Sequence, residues 1–98
     1  MNNIIISSPF IAFIKGTPEN PKCGFTRTLL EIFKNNQIEY TYYDIIEDEQ
    51  MRYWARHYSQ WSTYPQIFIN GRLIGGLDKI KELVDNGEFS KMIPASCK

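Results

Sequence analysis

The sequence is poor in cysteine: Cys23 and Cys97 are the only two among 98 residues. Two cysteines cannot build the disulfide framework of a small secreted scaffold. The chain is therefore expected in an intracellular reducing compartment, where a lone cysteine is reactive or inert rather than bridged. An excess of charge is missing too. Eleven basic side chains balance eleven acidic ones, which argues against a main role in coating nucleic acid or an anionic membrane. Long apolar runs are absent. The longest, Pro9 to Ile14, is strand-sized and far short of the ~20 residues of a membrane span. The one histidine, His57, has no partner at metal-ligand spacing. There are no repeats and no low-complexity segments. The opening residues Met1 to Ser8 lack the basic, apolar and small-residue regions of a secretory signal, so none is expected.

What is present is an ordinary globular composition, 43% hydrophobic and 22% charged, with fourteen aromatic residues to fill a core. The length suits one domain spanning 1–98. Pro9 to Ile14 reads as a strand buried on both faces. Lys15 to Lys22 is a loop broken by Gly16, Pro18 and Pro21. Leu29, Leu30, Ile32 and Phe33 recur at helical spacing, and Asn35-Asn36 closes that helix. Ile38 to Ile46, rich in Tyr, Thr and Ile, reads as a second strand. Acidic residues 47–49 suit a helix start, and Met51, Trp54, Ala55 and Tyr58 follow at i, i+3, i+4 and i+7. Gln66 to Ile69, Asn70-Gly71 and Arg72 to Ile74 form a β-hairpin signal. Leu77, Ile80, Leu83 and Val84 make a last helix stopped at Asn86-Gly87; residues 88–93 add one short turn.

The order β-α-β-α-β-β-α predicts an α/β domain. Its first β-α-β unit is parallel and right-handed, and its hairpin completes a four-stranded mixed sheet with helices on both faces. Such a fold suits many activities, so the site must decide. Cys23 lies where the loop meets a helix start. Backbone amides and the helix dipole favour a thiolate there, and Lys15 and Lys22 add positive charge. The flanking prolines, glycine and lysines argue that the thiol is exposed rather than buried. The motif is Cys23-Gly24-Phe25-Thr26, with threonine where a dithiol site has its second cysteine. A mixed disulfide on Cys23 must be resolved by an outside thiol, or by Cys97 if the tail reaches it.

The runs Lys15-Gly16-Thr17-Pro18, Pro21 to Thr26, Trp61-Ser62-Thr63-Tyr64-Pro65-Gln66, and Asn70-Gly71 with Ile74 to Asp78 appear together in one order. In this the chain resembles the monothiol glutaredoxins over nearly its whole length, and most of all the glutaredoxin domains of multidomain thioredoxin–glutaredoxin proteins. The resemblance implies a thioredoxin-like fold, glutathione binding, and a glutathione-ligated [2Fe-2S] cluster shared between two subunits. It implies Cys23 as catalytic thiol and cluster ligand, and Lys15, Arg52, Arg56, Thr63, Tyr64, Leu77 and Asp78 as glutathione contacts, with Phe25 lining the site. It also implies a cis bond at Tyr64-Pro65.

Charge chemistry is consistent with these assignments. Lys15, Arg52 and Arg56 offer cations for the glycyl carboxylate, and Arg52 and Arg56 share a helix face at i, i+4. Asp78, just past Gly75-Gly76 at a helix start, suits the γ-glutamyl amine, while local backbone amides take the carboxylate of that end. On spacing alone, Arg52 and Arg56 read first as a solvated face beside Glu49, and Asp78 as a helix N-cap. Trp54, Phe13 and Phe68 read as core, Trp61 as core or as part of a partner surface, and Cys97 as a thiol on a flexible tail at 94–98. Four departures from the family pattern stand out: Thr26 for serine, Ser62 for proline, Leu77 for a second cysteine in several members, and only a partial helix or tail at residues 1–8. The last suggests a domain excised from a longer chain, with a cytoplasmic or organellar setting.

Three functions remain open: a cluster carrier in iron–sulfur transfer and iron homeostasis, a glutathione-dependent oxidoreductase with weak classical disulfide reductase activity, and a cluster-regulated interaction domain. The implied partners are a second copy of the chain, a BolA-like protein and apo iron–sulfur recipients.

Overall fold

A computed structural model describes residues 8–60 and 63–97. Strand β1 (Phe10–Ile14) is the centre of the molecule, and all five of its residues are buried. Alternation along a strand sends neighbours to opposite faces. Accordingly Phe10, Ala12 and Ile14 enter one apolar cluster, while Ile11 and Phe13 enter another. Four strands form one mixed sheet in the order β2-β1-β3-β4. Strand β2 (Thr41–Asp44) runs parallel to β1, and β3 (Gln66–Ile69) runs antiparallel to it. Strand β4 (Arg72–Gly75) returns through Asn70 (φ 51°) and Gly71 (φ 80°), the left-handed pair that the Asn-Gly signal implies. The register against β3 shifts between Ile67 and Phe68, where Ile74 is the extra residue of a bulge before Gly75.

Helix α1 (Gly24–Asn35) and helix α3 (Leu77–Asp85) cover one face, burying Leu29, Phe33, Leu77, Ile80 and Leu83 against β1 and β3. Helix α2 (Glu49–Ser59) covers the other with Met51 and Ala55, and Trp54 packs there half-buried. Asp48 starts α2 as its N-cap, with its side chain accepting from the Met51 N–H at 2.9 Å. Among the described residues no helix is long and apolar enough to cross a membrane.

The second strand is shorter than the expected 38–46. Residues before it bond elsewhere: the Ile38 N–H donates to Phe33 O, and the Glu39 N–H donates to Cys97 O at 2.7 Å. The expected flexible tail at 94–98 is thereby corrected for residues 94–97. After the short helix α4 (Phe89–Met92), a 3-10 turn (Ala95–Cys97) packs Cys97 into the main core, 4% exposed. A thiol is small and apolar enough to fill that position. Trp61, Ser62 and, save Ser8, the partial helix or tail expected at 1–8 lie outside the described residues.

Candidate functional site

Cys23 occupies the N-cap of α1 in an extended conformation (φ −144°, ψ 141°), half-buried, with no side-chain cap hydrogen bond. This is the helix end where negative charge is favoured. The loop before it is tightly pinned. Lys15 N–H donates to Thr26 Oγ1 at 3.3 Å, and Lys22 N–H donates to Lys15 O at 2.9 Å. Asp44 Oδ1 accepts from both Gly16 N–H and Ile46 N–H at 3.0 Å. Thr26 is fully buried. Its hydroxyl therefore serves the loop backbone, and its additional methyl group packs inside the fold.

Beside this helix start lies an open groove of about 490 Å³, lined by Phe25, by Thr63, Tyr64 and Pro65, and by the first turns of α3. That size falls in the range of small-molecule sites, about 300–1,000 Å³. Five of the sequence-derived site residues meet there: Phe25, Thr63, Tyr64, Leu77 and Asp78. Phe25 is 63% exposed at its edge. The Tyr64-Pro65 peptide is cis. Gly76 is the N-cap of α3, and Asp78 is the second residue of its first turn. Asp78 is thus not the cap that spacing alone allowed, and it stands exposed at the groove.

The three cations Lys15, Arg52 and Arg56, and Cys23, do not line the groove. Lys15 follows β1, half-buried. Arg52 pairs with Glu49 at 3.3 Å, as the solvated-face reading has it. Arg56 lies exposed on α2 beside Tyr53, His57 and Gln60. Tyr64, which lines the groove, lies against the backbone of α2 at Arg52. Its hydroxyl donates to the Arg52 carbonyl. Burial pushes the Tyr64 phenol above the usual tyrosine range, against the opposing influence of the Arg56 charge, the Arg56 N–H and the Arg52 charge.

Sequence reasoning missed Lys79 and Glu82, which also line the groove, and the loop-anchoring role of Asp44. For Asp44 a signal existed: an aspartate two residues before a free N–H forms its own turn. For Lys79 and Glu82 the i, i+3 spacing was visible, but not the face they share. Among the described residues no three His, Cys, Asp or Glu side chains cluster as a metal site.

A family model described as Glutaredoxin matches residues 10–74. The chain belongs to the glutaredoxin family. With a single cysteine in its Cys23–Thr26 motif it is of the monothiol type. Glutaredoxin 3 of Danio rerio is 43% identical over 94 residues, covering 96% of this chain and 29% of that protein. Monothiol glutaredoxin-4 of Saccharomyces cerevisiae is 43% identical over 82 residues, covering 84% of this chain and 34% of that protein. The chain thus spans about a third or less of these curated relatives. Among solved structures, a monomeric truncated mutant of Trypanosoma brucei 1-C-Grx1 superposes with a TM-score of 0.86 at 32% identity. It covers 93% of this chain and 83% of that one. A buckwheat glutaredoxin–glutathione complex shares the thioredoxin-like fold, with a TM-score of 0.81 at 21% identity over 94% of this chain and 82% of that one.

Proposed function

We propose that this monothiol glutaredoxin binds glutathione in the groove and carries a [2Fe-2S] cluster, as cargo, between two copies of the chain. The observation that carries the reading is the groove itself. Phe25, Thr63, Tyr64, Leu77 and Asp78 line it, and Phe25 lies two residues from the half-exposed Cys23 thiol. A strand-like tripeptide can pair with the backbone beside the cis-proline. Asp78 meets its γ-glutamyl ammonium, and Lys15, Arg52 and Arg56 supply cations toward its glycyl carboxylate.

The donor set fits a shared cluster and not a single-chain one. Each chain offers one accessible thiol, since Cys97 is buried. An all-thiolate [2Fe-2S] centre takes four ligands, which two Cys23 side chains and two glutathiones complete. A BolA-like protein in place of the second copy, apo iron–sulfur recipients, a role in iron homeostasis and an intracellular reducing setting belong to the same proposal.

A second reading uses the same thiol. The Cys23 thiolate attacks the glutathione sulfur of a protein mixed disulfide and expels the protein thiolate. A second glutathione thiolate then attacks that sulfur, releasing glutathione disulfide and restoring Cys23. The half-exposed position of Cys23, without a second motif cysteine, favours it.

Anaerobic reconstitution with iron, sulfide and glutathione, read by visible absorbance, native mass and thiol turnover, separates the two. The carrier reading expects glutathione-dependent colour and a doubled mass, both lost in Cys23→Ser. A stable cluster on a monomer, or equal loading without glutathione, overturns it. Turnover of a glutathionylated protein without cluster loading supports the second reading.

A further inference from the structure

Lys79 and Glu82 have no part in the contacts proposed above, yet both line the groove beside Asp78. They lie one turn apart on α3, with Lys79 Nζ 3.8 Å from Glu82 Oε1 and side chains 47% and 65% exposed. The lysine is set in place from beneath. Gly75 has φ +138°, and a Cβ there would stand 2.9 Å from Lys79 Cβ and 3.3 Å from its Cγ. The lysine stem lies across a position that glycine leaves open. The groove wall therefore carries, in order, a negative, a positive and a negative side chain: Asp78, Lys79 and Glu82. Among the described groove residues, Lys79 is the one cation.

We propose that Lys79 is a specificity-determining residue for the α-amino-acid end of the tripeptide, and that Glu82 is its built-in competitor. The proposal rests on the glutathione reading of the groove. The γ-glutamyl end holds an ammonium and a carboxylate on one carbon. Asp78 suits the ammonium, and the carboxylate, which backbone amides at the start of α3 can take, gains a charge partner in the neighbouring Lys79. In the free chain that cation is engaged by Glu82. The incoming carboxylate displaces Glu82, and because the pair is exposed its rupture costs little. Glu82 lowers affinity twice: it occupies Lys79, and it repels a like charge.

A pair that merely braces α3 and a pair that competes with ligand differ in sign, because either single substitution breaks the same contact. The test is calorimetric titration of reduced glutathione into the full chain and its Lys79→Met and Glu82→Gln variants at low salt. Lys79→Met should bind about two- to fivefold more weakly and Glu82→Gln about twofold more tightly. With 4-aminobutyryl-cysteinyl-glycine, which keeps the ammonium and lacks the α-carboxylate, the Lys79→Met deficit should vanish. The proposal is overturned if both variants weaken together, if neither changes, or if Lys79→Met weakens both peptides equally. Failure of the unsubstituted chain to bind glutathione removes the groove reading and this proposal with it. Binding by the unsubstituted chain with unchanged variants removes this proposal alone.

Discussion

At the scale of single residues, backbone demands and burial decide what each side chain can do. Gly16 sits at φ +97°, and a Cβ there would fall 2.5 Å from Asn20 O and 2.8 Å from Lys22 N. Those neighbours are backbone atoms of the loop that leads to Cys23 and cannot yield singly. Gly16→Ala should cost about 2–3 kcal/mol in urea denaturation. Tyr64 makes a pH-dependent contribution. Burial raises its phenol above the usual range, so the folded chain holds that proton to higher pH than the unfolded chain does. The contribution is complete below the unfolded tyrosine range and is lost as pH rises above about 10. Tyr64→Phe should cost about 1 kcal/mol near neutrality through the lost bond to the Arg52 carbonyl. That difference should shrink in denaturation curves taken at increasingly alkaline pH. Phe25 and Asp78, which line the groove, were legible as candidates from motif and chemistry. Lys79 was not, because nothing in one dimension tells that its stem crosses Gly75.

At the scale of elements, the sequence is legible wherever one local rule acts alone. The Asn70-Gly71 turn, the apolar stripe of α1 and the stop at Asn86-Gly87 appear where periodicity and turn chemistry put them. The second strand did not, since other bonds set its ends: distant Cys97 O takes the Glu39 N–H, and the Asp44 side chain, at the strand's own end, accepts from the Ile46 N–H. The loop from 15 to 22 is likewise fixed from outside itself. Thr26 on α1 holds it at Lys15, and Asp44 on β2 holds it at Gly16. Thr26→Val keeps shape and removes the acceptor, leaving the Lys15 N–H without its hydroxyl partner. A loss of about 1 kcal/mol is expected, with faster exchange of the Lys15 amide. Thr26→Ser keeps the hydroxyl and should leave that amide protected. Equal exchange in both variants would show that the hydroxyl does not hold the loop.

At the scale of the whole molecule, β1 divides the interior into two aromatic-rich halves, and the chain end closes the larger one. Phe10 meets Phe33 edge-on at 5.2 Å, and Phe33 meets Tyr40 at 4.8 Å. Cys97 completes that cluster alongside Ile38, Phe89 and Ile93. From sequence, a cysteine near the last position looks like a thiol on a loose tail, since termini fray unless they are tied down. Here the tie is the bond from Glu39 to Cys97 O together with the burial of the thiol. The two thiols of the chain are therefore inequivalent: Cys23 is open at a helix start, while Cys97 is sealed in the core. Cys97→Ser places a hydroxyl in the apolar core and should cost about 1–2 kcal/mol, a stability effect without a role in the site. A small aromatic disulfide reagent should modify Cys23 rapidly in the reduced native chain. Cys97 should react only as the C-terminal segment or the whole fold opens, so its rate should climb with urea while that of Cys23 changes little. Equal native rates for the two thiols would show that the chain end does not close the core. A Cys23→Ser chain that still reacts quickly would identify Cys97 as the accessible thiol and reopen it as a resolving partner for the site.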